Sequence, residues 1–172
     1  MTGALEAGRA AGRAIRRAIV IGIALVAAAC AFPAPGRLPA GTSIDEARRA
    51  VGGPRGQYPL PGGGTRLEFS GFQETYMLDF DAGGRLVASR QVLTEADFAT
   101  ITPGLPREQV LMRIGHPTWV FGVGRQRLSV WNYRFRAPLG CVIFQVSVSD
   151  AGAVIEASTG YDPICDAPSA RD

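Results

Sequence analysis

The spacing of apolar residues changes along this chain, and each change predicts a different element. Ala18 to Ala29 (AIVIGIALVAAA) carries no charge; Arg9, Arg13, Arg16 and Arg17 precede it and Cys30 follows it. From Gly41 the spacing becomes helical, with Ile44, Ala47 and Val51 on one stripe. Period two then takes over. Tyr76, Leu78 and Phe80 alternate with Met77 and Asp79. Trp131, Tyr133 and Phe135 alternate with Asn132, Arg134 and Arg136. Val142, Phe144, Val146 and Val148 alternate with Ile143, Gln145 and Ser147. Such alternation predicts strands with one face on a core and places Asp79, Arg134 and Arg136 on the solvent side.

The pattern repeats. Gly41 to Pro54 recurs as Gly104 to Pro117 at an offset of 63, and Phe80 to Leu86 recurs as Ser149 to Ile155 at an offset of 69. Each copy reads as a short helix stopped by Gly-x-Pro, a variable stretch, and an Asp-Ala-Gly hairpin. Ser43 with Glu46 forms a capping box for the first helix. Gly52 then suits a left-handed helix end, and Pro54 blocks continuation. In the second copy Pro106 suits the first helical position, Val110, Leu111 and Ile114 form the stripe, and Gly115 with Pro117 stops the helix. Asp81 to Gly84 and Asp150 to Gly152 are hairpin turns. Thr94 to Phe98 reads as one helical turn with Thr94 and Asp97 as a second capping box. The expected fold is α+β, two tandem copies of a short helix packed on a small antiparallel β-sheet. Residues 41–93 make the first copy, 94–100 the linker and 101–166 the second; 167–172 is a tail.

The order of basic head, short apolar run, small residues and cysteine reads as an export signal over residues 1–29. Twelve residues are too few to cross a hydrocarbon core, which needs about 20. Leu25-Val26-Ala27-Ala28-Ala29-Cys30 resembles the lipobox of bacterial lipoproteins. That resemblance implies cleavage before Cys30, acylation of its thiol, and attachment to a membrane surface by lipid, palmitate included. Ala31 after the cysteine implies the outer membrane, with the chain on its periplasmic face. Residues 30–40 then hold the lipidated cysteine and a proline-rich stretch expected to act as an extended tether.

Export also changes the charge argument. The chain has 18 basic residues, all arginine, and a formal charge of +3. Removing residues 1–29 leaves fourteen arginines against fourteen carboxylates, so the positive balance belongs to the leader and implies no nucleic-acid partner. In an oxidising compartment Cys141 and Cys165 are expected to bridge, the alternative being two free buried thiols.

The residues offer little catalytic chemistry. His116 is the only histidine, so neither a triad nor a multi-histidine metal site can be built around it beyond a single imidazole. It reads as a turn residue. Asp79, Asp81, Glu68 and Glu74 read as solvated carboxylates rather than a cluster. Tyr58 to Thr65 lacks the Lys-Ser/Thr of a phosphate loop and reads as a flexible connection. Nothing marks Cys141 as an activated nucleophile. No catalytic residue, metal ligand or cofactor is expected. Arg125, Arg127, Arg134 and Arg136 cluster around one strand. They are either a solvated face or a contact surface for an acidic partner or lipid headgroups.

Ile101-Thr-Pro-Gly104, Glu108-Gln-Val110, Ile114-Gly-His-Pro117, Trp131-Asn-Tyr133 and the Gly152 hairpin resemble the SmpA/OmlA (BamE-like) domain of outer-membrane lipoproteins. The resemblance covers Ile101 to about Gly160, and Gly41 to Val92 follows it more loosely, with Leu67-Glu-Phe69 in place of Trp-x-Tyr. It implies a small helix-on-sheet fold without enzymatic activity. It also implies an accessory role in β-barrel protein assembly or envelope integrity through protein contacts, with the β-barrel assembly machinery as the partner class. Two copies in tandem are similar to the architecture of β-lactamase inhibitory proteins. That similarity implies the alternative of a periplasmic binding or inhibitor module using a concave two-repeat sheet.

Overall fold

A computed structural model describes residues 34–137, 140 and 142–166. All fall within one compact unit, Pro33–Asp172. The expected leader, Cys30, Cys141 and the tail lie outside the described residues. The fold is α+β, with few helices and two four-stranded antiparallel sheets. Helix α1 (Ile44–Val51) precedes strands β1 (Gly56–Pro59), β2 (Thr65–Ser70), β3 (Thr75–Phe80) and β4 (Leu86–Gln91). Helices α2 (Glu95–Phe98) and α3 (Arg107–Ile114) lead into β5 (Trp119–Val123), β6 (Leu128–Arg134), β7 (Val142–Ser149) and β8 (Val154–Tyr161). Each sheet runs in sequence order, β1-β2-β3-β4 and β5-β6-β7-β8, and among the described residues no ladder joins the two.

Both halves build the same local frame. Gly41 N–H donates to Leu86 O at 2.8 Å, and Gly104 N–H to Val154 O at 2.8 Å. Leu86 N–H donates to Thr42 O and Val154 N–H to Leu105 O, each at 2.9 Å. Ile44 N–H donates to Gly84 O at 3.2 Å, and Arg107 N–H to Gly152 O at 2.8 Å. The chain entering each main helix is thus tied to the strand leaving the hairpin.

The capping box at α1 is present, with both Ser43–Glu46 bonds made. At α2, Thr94 accepts from Asp97 N–H at 3.2 Å and its hydroxyl donates to Asp97 Oδ2 at 2.7 Å, which is one side of the expected box. Pro106 is the N-cap of α3 rather than its first helical residue, because its ψ of 142° is extended. Gly52 and Gly115 end the helices at φ 93° and 78°, but with ψ near −170° rather than in the left-handed helical well. Only glycine visits that region readily.

Two apolar clusters form. Ala47 of α1 packs with Leu67, Phe69, Leu78, Phe80 and Leu86 on one face of the first sheet. Val110 and Ile114 of α3 join Phe98, Ile101, Tyr133, Phe144, Val146 and Val148 on one face of the second. Ring stacking of Phe98 on Phe144, with centroids 4.1 Å apart, ties α2 to β7.

Three expectations need correction. Pro35–Arg37 is a 3₁₀ turn rather than an extended tether. Ser89 Oγ donates to Pro35 O and Leu38 packs on the first core, so apolar burial holds this segment on the sheet. The stretch from Tyr58 to Thr65 is not a flexible connection, because Gly56–Pro59 pairs with β2. Asp79 is not solvated. It lies on the second face of the first sheet, which α3 covers, and its side chain is 22% exposed.

Candidate functional site

The buried second face of the first sheet carries polar residues. Register places Glu68 opposite Met77 and Gly56, Arg66 opposite Asp79 and Tyr58, and Ser70 opposite Thr75. Arg66 makes a two-pronged ion pair with Asp79 at 2.6 and 2.7 Å, and its Nη1 donates to Met112 O in α3 at 3.1 Å. Asp79 holds the guanidinium pKa above its ordinary range against the opposing pull of burial.

Glu68 is the centre of this face, with no exposed surface. Its Oε2 accepts from Tyr58 Oη at 2.7 Å and from His116 Nδ1 at 2.7 Å. Its Oε1 accepts from Ser70 Oγ and from the His116 backbone N–H, both at 2.8 Å. Burial pushes the carboxyl pKa up. The bonds from the His116 N–H, Tyr58, the His116 ring and Ser70 outweigh that push, so the pKa lies below its ordinary value. Burial and the Glu68 bond push the Tyr58 hydroxyl pKa well above its ordinary range. Burial, followed by the charge of Glu68, does the same to Tyr133, whose hydroxyl donates to Gly115 O at 3.0 Å.

Two glycines make room for this carboxylate. A Cβ on Gly115 would lie 2.8 Å from Glu68 Cδ, and one on Gly56 would lie 2.7 Å from Glu68 Oε2. The helix stop that ends α3 therefore also delivers the His116 N–H to a buried charge. Because an ionised carboxylate only accepts, Nδ1 carries the proton of this bond.

His116 reaches the surface, 35% exposed, in a cleft of about 340 Å³ lined also by Arg55, Leu111, Trp119, Val120 and Trp131. Arg55 Nη2 donates to Pro117 O at 2.9 Å. A larger groove of about 580 Å³ runs beside Phe98, Ile101 and Phe144. Among the described residues no group of His, Cys, Asp and Glu is arranged to hold a metal ion.

The arginines singled out by sequence differ in their partners. Arg134 is not a solvated face residue. It pairs with Asp162 at 2.7 and 3.2 Å and lies over the rings of Trp119, at 4.7 Å, and Phe72, at 5.4 Å. Its bond holds the Asp162 carboxyl below its ordinary pKa. Arg136 meets Glu74 at 3.2 Å and Arg127 meets Asp150 at 3.3 Å, both near the surface. Arg125 has no ion pair among the described residues. Cys165 is disulfide-bonded, whereas its expected partner Cys141 lies outside the described residues.

Glu68 is not the solvated carboxylate expected from sequence but is fully buried, and sequence spacing missed the roles of Tyr58 and Phe72. The signal for Glu68 was a lone carboxylate between two apolar strand residues, Leu67 and Phe69. The exposed Phe72 left no signal, because its partner Arg134 is 62 residues away.

No family profile matches the chain, and no curated protein does. Several solved structures overlap it, three of them as follows. A candidate beta-lactamase inhibitor protein from Streptococcus mutans is 10% identical with a TM-score of 0.34, covering 75% of this chain and 88% of that one. A cysteine-rich secretory protein from Staphylococcus aureus is 12% identical with a TM-score of 0.28, covering 72% of this chain and 45% of that one. A DUF4309 family protein from Bacillus subtilis is 10% identical with a TM-score of 0.29, covering 70% of this chain and 79% of that one. Overlaps this shallow carry no argument about function.

Proposed function

We propose that this chain is a non-catalytic lipoprotein of the outer membrane. It is anchored on the periplasmic face through acylated Cys30 and works by protein contact as an accessory to outer-membrane protein assembly or envelope integrity. On this reading its two halves are tandem copies of a helix-on-sheet unit of the SmpA/OmlA (BamE-like) kind. Cys141 is the disulfide partner of Cys165.

The observation that carries the contact role is the arrangement of Phe72, Arg134 and Trp119. Arg134 is paired with Asp162 and lies over two aromatic rings from different halves. Phe72 is 62% exposed and Phe121 of β5 is 46% exposed. Register puts Phe121 on the same sheet face as Trp119 and Arg134. Rigid aromatic and arginine side chains at the surface are the residues that dominate protein contacts. Meanwhile the Glu68–His116–Tyr58 set has its carboxylate fully engaged by four donors. Among the described residues, the one serine or cysteine bonded to it is Ser70, whose hydroxyl is spent on the same carboxylate.

The test is capture from detergent-solubilised outer membranes with the full, C-terminally tagged chain. Enrichment of β-barrel assembly components by wild type, lost in Phe72→Ala with Arg134→Gln and in Cys30→Ala, is the expected result. Recovery of a soluble periplasmic enzyme instead would favour the inhibitor-like alternative. Equal enrichment by all three proteins would reject this contact surface.

A further inference from the structure

We propose that the cleft beside His116 binds an apolar acid, meaning a carboxylate joined to an apolar body that also carries a hydrogen-bond donor. The end of a polypeptide chain and a free small acid share this chemistry. The inference goes beyond the contact role, and it does not depend on the lipid anchor.

Three features of the cleft meet three features of such a ligand. The first is an apolar wall. Trp131 and Val120, which share one face of β5 and β6, line with Leu111 a volume of about 340 Å³ that has Trp119 at its edge; it is at the small end of ligand pockets, which run from roughly 300 to 1,000 Å³. It suits one large side chain rather than an extended ligand. The second is a cation. Arg55 spends one guanidinium nitrogen on Pro117 O, and it pairs with no carboxylate among the described residues. Its remaining N–H groups have the fork that matches a carboxylate. The third is an acceptor. Glu68 takes the Nδ1 proton bond of His116, so in the neutral ring Nε2 keeps its lone pair. Among the described residues Nε2 makes no hydrogen bond.

The site is rigid where rigidity matters. The His116 ring is fixed by a carboxylate with no exposed surface, and its backbone N–H is bound to the same carboxylate at 2.8 Å. Trp131 is held by its Nε1 bond to Ser129 Oγ at 3.2 Å. A ligand therefore meets a preformed surface, which reduces the ordering cost of binding.

The chain has only two tryptophans, Trp131 in this cleft and Trp119 at its edge, so tryptophan emission reports on the site. The full chain in detergent is titrated with N-acetyl-Gly-Gly-Phe as the free acid, with the same peptide as its amide, and with 3-phenylpropanoate. The expected result is a saturable change in tryptophan emission with the acid, and binding at least about tenfold weaker for the amide. In Arg55→Gln, an exposed position, acid and amide should bind equally while the melting temperature stays put. His116→Gln should weaken the peptide acid but not phenylpropanoate, which has no N–H to offer. Val120→Phe, at a half-exposed position, fills the cleft and should abolish binding without unfolding the chain. Tighter binding of the peptide acid than of phenylpropanoate is the expected result and assigns the site to ligands that donate to Nε2, such as chain ends; equal binding of phenylpropanoate overturns the donor requirement. No saturable change with any probe at millimolar concentration overturns the proposal. So does an amide that binds as tightly as the acid.

Discussion

The two sheets have the same strand order and the same hairpin frame, yet they spend their second faces differently. In the first sheet that face is buried under α3. It carries Arg66, Glu68, Ser70, Thr75 and Asp79, every one of them paired. In the second sheet the corresponding face buries Asn132, bonded to Gln145, and Ile143, but towards the edge strand β5 it carries Trp119, Phe121 and Arg134 and remains largely open. At these two places polar residues sit inside and aromatic residues outside, the reverse of the usual bias. The inversion is consistent once each face is given its task. The first joins the halves through directional bonds. The second offers rigid apolar surface to something else.

The largest expected effect comes from breaking the joining face. Glu68→Ala strands four donors around a vacated site and should cost on the order of 3–5 kcal/mol, read as the shift in the urea unfolding midpoint. A loss below about 1 kcal/mol would mean the two faces do not differ as described. Gly115→Ala comes next. It forces a Cβ into the glycine-only region and against the Glu68 carboxyl, and it should cost about 3 kcal/mol by the same measurement.

A pH titration sharpens the comparison further. The Glu68 carboxyl is held below its ordinary value of 4.5, so the stability it contributes is complete above that pH. The stability is lost as pH falls through the folded-state value. Wild type should therefore lose stability steeply below about pH 4.5, and Glu68→Gln should show a shallower acid limb. Identical limbs would remove Glu68 from the account. The smallest effect on stability belongs to the open face. Phe121→Ser removes an apolar side chain that is already 46% exposed, and it should change stability by less than about 0.5 kcal/mol while weakening partner capture.

Much of the frame was legible because glycine, proline and capping residues act locally. Ser43 with Glu46, the Gly-x-Pro helix stops and the Asp-Ala-Gly hairpins needed no knowledge of distant residues. Strands β1 and β5 were not legible. The first contains Pro59 and only four residues, and the second breaks its alternation at Gly122. The site was illegible for a different reason. Alternation says that Met77 and Asp79 share a face, but not that α3, more than 25 residues later, covers it. In the same way the spacing around Arg134 placed it opposite Tyr133 correctly, yet Phe72 and Asp162 arrive from elsewhere in the chain and take it out of solvent.

The central claim is that one face joins and the other contacts. The most direct test measures unfolding free energy and partner capture side by side for Asp79→Asn and Phe72→Ala. The account predicts that Asp79→Asn, by unpairing the half-buried Arg66, loses about 2 kcal/mol and keeps capture. Phe72→Ala should keep its stability to within about 0.5 kcal/mol and lose capture. The opposite pairing, with Asp79→Asn stable but unable to capture and Phe72→Ala unstable but able to, would contradict it.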